Sequence, residues 1–180
     1  MNRILLFVLL LCSTLAHAIE VADIAAQLRA QREIDGTFTQ IRQLRGMSQP
    51  LTASGRFALA GETLYWTLEA PFASRLRITA DGVSQWQDGD WRATGQGAVN
   101  EAQTRLFLAF LRADTAALGA YFDIHASGEA EDWTLQLTPK TVLMRQIFRR
   151  IEIHGGAYVA RVVLEEAQGD RSELQFRPAP

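Results

Sequence analysis

From Thr37 to Arg177 the chain runs as short stretches of alternating apolar and polar residues, nearly all closed by Gly, Asp, Asn or Pro. A period of two puts every second side chain on one face of an extended strand, and turn residues at such intervals leave little room for helices. The stretch Ser54 to Leu59 sets Gly55, Phe57 and Leu59 against Arg56 and Ala58. After Gly61-Glu62, Thr63 to Leu68 sets Leu64, Trp66 and Leu68 against Tyr65, Thr67 and Glu69, and Pro71 ends it because proline cannot donate to a ladder. In Ser74 to Thr79, Leu76 and Ile78 alternate with Arg75, Arg77 and Thr79.

The same reading predicts strands over Thr37 to Leu44, Val83 to Trp86 and Trp91 to Thr94, with Asp81-Gly82 and Asp88-Gly89 as hairpin turns. It predicts five more over Tyr121 to Ala126, Trp133 to Leu137, Gln146 to His154, Tyr158 to Glu165 and Ser172 to Arg177. Ser127-Gly128, Pro139-Lys140, Gly155-Gly156 and Gly169-Asp170 are the expected turns between them. About eleven strands at this spacing fold as a barrel or a strongly curved sheet, since one sheet of that size does not stay flat.

Two segments break the pattern. Val21 to Arg32 is amphipathic, with Ile24, Ala25 and Leu28 on one face, and Asp35-Gly36 is expected to break it. Glu101 to Arg112 carries Leu106, Phe107, Leu108, Phe110 and Leu111, too apolar for a surface helix, and a short helical piece with Asp114 as N-cap follows it. Such helices need an apolar surface to face. The faces bearing Phe57, Trp66, Leu76 and Trp133 provide one, so the helices are expected to cover the concave side of the sheet.

Residues 1–18 stand outside this fold. Arg3, the apolar run Ile4 to Leu11 and Ala16-His17-Ala18 read as a secretory signal peptide, leaving a single domain over 19–180. Cys12 suggests a lipidation site, but Leu11 stands where such signals place a small residue, so a soluble product beginning near Ile19 is expected. That product has no cysteine, and packing alone must hold it together in an oxidising compartment. Without Arg3 there are 17 basic and 20 acidic residues, a net of about −3, and no basic stripe suited to nucleic acid.

No reactive constellation appears. The mature chain has two histidines, His125 and His154, each on a predicted strand, and no Gly-x-Ser-x-Gly elbow or metal-ligand spacing. Gly95-Gln96-Gly97 lacks a following lysine and reads as a loop rather than a phosphate cradle. Glu129, Glu131, Asp132, Glu165 and Glu166 read as a solvated acidic rim, and Arg145, Arg149 and Arg150 as solvent-exposed cations. The four tryptophans, Trp66, Trp86, Trp91 and Trp133, read as core. A packed core and a ligand cavity look alike in sequence, so composition stops at a secreted β-rich domain with no enzyme signature, no cofactor and no metal.

The order of elements is more specific. A helix leads into Phe38-Thr39-Gln40, then Gly55-x-Phe57, then a strand with Trp66 and, five residues on, Pro71. Ile78-Thr79-x-Asp81-Gly82 and Trp133-x-Leu135-x-Leu137-Thr138-Pro139-Lys140 follow. This resembles the periplasmic outer-membrane lipoprotein carrier family, LolA-like, as a divergent member. The resemblance implies a mainly β (α+β) fold, an incomplete antiparallel barrel of about eleven strands with helices lidding the concave apolar face. It also implies a monomer that receives acylated lipid cargo from an inner-membrane exporter and passes it to an outer-membrane acceptor.

The family's third-strand tryptophan falls on Trp66, an aromatic used at its export-complex contact falls near Leu64, and its lid helices fall on Ile24–Leu28 and Leu106–Leu111. The acyl-binding cavity is then expected to be lined by Ile24, Leu28, Phe38, Phe57, Leu59, Leu64, Trp66, Leu68, Leu76, Ile78, Leu106, Phe107, Phe110, Trp133, Leu135 and Leu137. One departure stands out. The family's Arg-Pro pair entering the third strand, whose arginine ties lid to barrel, is replaced by Ala60-Gly61-Glu62. The latch is therefore absent or built differently, and the cargo is a lipoprotein or another lipid. The alternative is a lipoprotein-sensing or protein-interaction domain in envelope regulation.

Overall fold

In a computed structural model, which describes residues 19–31, 33–94 and 106–179, eleven strands form one antiparallel sheet. They are β1 Glu33–Gln43, β2 Leu51–Ala60, β3 Thr63–Ala70, β4 Ser74–Thr79, β5 Gly82–Gln87 and β6 Asp90–Thr94, then β7 Phe122–Glu129, β8 Asp132–Pro139, β9 Phe148–Gly155, β10 Val159–Glu166 and β11 Arg171–Pro178. Four short helices accompany them: α1 Val21–Ala30, α2 over residues 106–111, α3 Thr115–Gly119 and α4 Val142–Ile147. The sheet runs β6-β5-β4-β3-β2-β1-β11-β10-β9-β8-β7, so β6 and β7 are unpaired edges and the barrel is open. Two meanders are joined by the first and last strands, from Gly36 opposite Pro178 to Gln43 opposite Arg171.

Alternation decides which face is buried. On β8 it buries Trp133, Leu135 and Leu137, on β9 Ile151 and Ile153, and on β11 Ser172, Leu174 and Phe176. On the other meander Phe38, Phe57, Leu64, Trp66 and Ile78 point the same way. The helices close over this concave face with Ile24, Leu108, Phe110 and Leu118. Asp23 accepts from the Glu20 backbone N–H at 3.2 Å at the start of α1. Asp114 accepts from the Ala117 N–H at 3.1 Å as the expected cap of α3.

Several expectations are corrected. Asp35-Gly36 does not break a helix: α1 already ends at Ala30, and both residues lie inside β1. Gly36 is needed there for close approach, since a Cβ would overlap the Arg177 carbonyl of β11. Ser127-Gly128 belongs to β7, and the turn comes at Ala130-Glu131. Gln146 and Ile147 are helical, because α4 bridges β8 and β9 from its Thr141 cap, turning Met144 inward. Trp86 and Trp91 are not core. Paired directly across β5 and β6, they stack edge to face at 5.2 Å on the outer side, where the Arg77 guanidinium lies 5.0 Å from the Trp91 ring centre. Arg150 keeps a solvent-exposed side chain, as expected, and donates from it to Glu165 at 3.0 Å. Residues 1–18, Arg32, Gly95-Gln96-Gly97 and Glu101 to Arg105 lie outside the described residues.

The outer face of β10 and β11 holds one strong ion pair. Arg161 donates two hydrogen bonds to Glu173, at 2.7 and 3.0 Å, while Gln175 donates at 2.9 Å and Arg171 lies at 3.1 Å. These donors, Arg161 foremost, hold the Glu173 carboxyl down to about 2, well below its ordinary value. A depressed carboxylate stabilises the fold fully above its unfolded pKa, and that contribution is lost as pH falls towards the folded value. Glu173→Gln should therefore flatten the loss of thermal stability between about pH 5 and about pH 2, followed by circular dichroism. Gly36→Val should cost about 3 kcal/mol through overpacking at the seam, a fall in melting temperature of roughly 6–12 °C.

Candidate functional site

The sixteen residues singled out in the sequence all come together. Ile24, Leu28, Phe38, Phe57, Leu64, Trp66, Ile78, Phe110, Trp133, Leu135 and Leu137 are buried in one apolar cluster, with Leu59, Leu68, Leu76, Leu106 and Phe107 half-buried against it. They do not all line an empty space. Phe38 and Trp66 stack with ring centres 3.6 Å apart, and the ring of Phe107 from α2 meets Trp66 edge to face at 5.7 Å. Trp133 is fully buried and donates its indole N–H to the Gly156 carbonyl at 2.8 Å. The centre of the concave face is filled by its own aromatics.

The open space lies to one side. A cavity of about 520 Å³ sits between α1, the β2–β3 hairpin and the turn joining α2 to α3. Leu28, Phe57, Leu59 and Leu64 of the expected set line it, together with Ile34, Leu111, Val159 and Phe176, which sequence reasoning did not select. Phe176 carried a usable signal, because it alternates in phase with Ser172 and Leu174 on a strand already recognised. Ile34 carries none, because Asp35-Gly36 after it reads as a break. Arg29, Gln31, Glu62, Arg112, Asp114 and Thr115 form the polar part of the lining. No histidine, serine or cysteine is among the lining residues.

The helices are tied to opposite sides of this space. From α1, Gln27 donates to the Ala130 carbonyl at 3.1 Å and to the Gly156 carbonyl at 2.9 Å, which anchors the helix to the β7–β8 and β9–β10 turns. From the α2–α3 turn, Arg112 donates to the Gly61 carbonyl at 2.6 Å, reaching the β2–β3 turn. Gly61 is in the segment where the resemblance lacks its arginine. The tie exists with its polarity reversed: the guanidinium is on the helical side and the acceptor is barrel backbone.

His125 and His154 are not among the lining residues. His125 is exposed on β7, and His154 shares a hydrogen bond of 2.9 Å with the Thr134 hydroxyl on β8. Among the described residues, no group of three or more His, Cys, Asp or Glu could hold a metal ion. Among them, too, no helix is long and apolar enough to cross a membrane.

A family model for outer membrane lipoprotein carrier protein LolA-like sequences matches residues 13–176. The chain belongs to that family. The open eleven-stranded sheet with its covering helices is the fold the LolA-like resemblance implied. Among solved structures, a LolA superfamily protein of Nitrosomonas europaea is 8% identical over 89% of this chain and 92% of its own, with a TM-score of 0.47. The lipoprotein LppX of Mycobacterium tuberculosis is 13% identical over 87% and 92%, with a TM-score of 0.43. LprF of Mycobacterium bovis is 12% identical over 89% and 91%, with a TM-score of 0.39. No curated protein matches the sequence.

The stack of Phe38 on Trp66 places these rings in the packing of the fold. Phe38→Ala should cost about 3–5 kcal/mol in urea denaturation, the range for truncating a buried aromatic. A cost below about 1 kcal/mol would mean that the ring faces open space instead.

Proposed function

We propose that this LolA-like protein is a periplasmic carrier, without catalytic activity, that binds acyl chains of a lipoprotein or another lipid and ferries them between inner and outer membrane. One observation carries the reading: an apolar cavity of about 520 Å³ is walled on one side by helices that are not part of the sheet. A wall of that kind can move while every strand pairing stays in place.

The energetics suit such a task. Burying one CH₂ is worth about 0.8 kcal/mol, so a chain of about fourteen methylenes is held in a bilayer by roughly 11 kcal/mol. Unassisted escape against that barrier is too slow to serve transport. A carrier must present a comparable apolar surface, so that transfer from membrane to protein and from protein to membrane is nearly balanced. Leu28, Ile34, Phe57, Leu59, Leu64, Val159 and Phe176 supply it. Reactive groups would add nothing.

Cavity size bears on the cargo. Pockets of roughly 300–1,000 Å³ accommodate one drug-sized molecule. A cavity of this size suits one chain, and a three-chain anchor requires the helices to part. Arg112 to Gly61 and Phe107 against Trp66 join α2 to β2 and β3, and those contacts can be exchanged for contacts with cargo. An inner-membrane exporter and an outer-membrane acceptor complete the proposed route, with the carrier acting as a monomer. The signal peptide over residues 1–18 takes it to the periplasm.

The test is a charge on the cavity wall rather than in the packed centre. Leu59 is half-buried and lines the space, so Leu59→Glu leaves the Phe38–Trp66 stack intact. Protein purified from periplasm should carry extractable lipid detectable by mass spectrometry, and Leu59→Glu should lose most of it while melting cooperatively. Undiminished lipid in the variant would remove the cavity from the mechanism.

A further inference from the structure

The cavity is apolar along the sheet and polar where the helices turn, and one nitrogen of its polar lining lacks a partner. Arg112 follows α2 and is half-buried. One terminal nitrogen donates to the Gly61 carbonyl, but Nε is shut off from solvent and has no hydrogen-bond partner. A guanidinium offers five N–H donors in a rigid fork that matches a carboxylate or phosphate, so it can receive an anion without releasing Gly61. An unpaired donor shut off from water is unfavourable, and an acceptor placed there would relieve it.

The neighbouring charges leave the position open. Arg29, on the facing side of α1, donates Nε to the Ala25 carbonyl at 2.9 Å and adds a second positive group to the lining. Asp114 is engaged with the Ala117 N–H as the cap of α3. Glu62 lies exposed in the β2–β3 turn, and among the described residues it forms no ion pair with Arg29 or Arg112. The wall a few residues away is aliphatic and aromatic, with Leu28, Phe57, Leu59 and Leu64.

We propose that the cavity takes a single-chain anionic amphiphile, with its tail along Phe57, Leu59 and Leu64 and its carboxylate or phosphate received by Arg112. This deepens the carrier reading and rests on it. It adds a headgroup preference that an apolar hollow alone would lack: a neutral amphiphile of equal tail length offers Arg112 only an uncharged acceptor, and so a weaker hydrogen bond. Charge-assisted hydrogen bonds to an arginine fork are the strong kind, which is the source of the discrimination.

Delipidated protein would be titrated by calorimetry with hexadecanoate, palmitoyl lysophosphatidate, hexadecanol and inorganic phosphate, each amphiphile below its micelle concentration. Both anionic amphiphiles should bind about tenfold or more tightly than hexadecanol, and inorganic phosphate should bind far more weakly than either. Arg112→Gln should bring the ratio of anion to alcohol close to one. A second readout needs no altered ligand site: the Arg112 Nε–H resonance should move several-fold further on adding hexadecanoate than on adding hexadecanol. Equal affinity for alcohol and anions in the native chain would overturn the headgroup proposal and leave the carrier reading standing. Phosphate binding as tight as the amphiphiles' would overturn it in favour of a plain anion site. Binding of none of the three amphiphiles would sink the carrier reading as well.

Discussion

An open sheet with one apolar face cannot exclude water from itself, and the rest of this structure follows from that constraint. Closure into a full barrel would bury the face, but the order of strands leaves β6 and β7 as separate edges. The covering must therefore come from elsewhere in the chain. It comes from α1, which precedes the sheet, and from α2 and α3, which lie in the connection between the two edge strands. Ile24 and Leu118 are completely buried although they belong to helices of ten and five residues. Helices this short are marginal in isolation and owe their stability to the surface beneath them.

That dependence runs in both directions, and it gives the cavity its character. The sheet is a continuous ladder closed at its seam by β1 and β11, whereas the helices are attached through side chains. Gln27 holds α1 to the turns of one meander, and Arg112 holds the α2–α3 turn to the other. The space of about 520 Å³ is where those two attachments do not meet. Tight packing fills the centre with Phe38, Trp66 and Phe107, so the gap has been displaced to the rim beside β2 and β3. A molecule entering there would extend an apolar surface that already exists.

The convex face follows different physics. Its charges pair across neighbouring strands, Arg161 with Glu173, Arg150 with Glu165 and Arg56 with Glu69, in positions the strand register fixes. The Arg161–Glu173 pair shifts its carboxylate far, because two N–H donors converge on it in fork geometry. Arg56 and Glu69 are both well exposed, and such pairs contribute little. The polarity of this face keeps one side of the sheet in water, and the apolar residues gather on the concave side.

Much of the fold was legible in the residues themselves. Alternation in period two located all eleven strands, because side chains on a pleated strand must point alternately inward and outward whatever the neighbours are. The Asp114 cap and the burial of Trp66, Leu135 and Leu137 were legible for the same local reason. Gly36 was misread because a glycine required by the close approach of β11 looks, in sequence, like one required by a turn. Trp86 and Trp91 were misread because hydrophobicity does not say which face of a strand is covered. The gathering of sixteen apolar residues into one cluster was foreseen, but which of them pack on each other and which border a void was not. That division depends on volumes contributed by α1, β2, β3 and the α2–α3 turn together, and no single stretch of sequence contains the sum. The Arg112 tie to Gly61 is of the same kind: fifty-one positions separate donor from acceptor, and only the folded chain sets the one against the other.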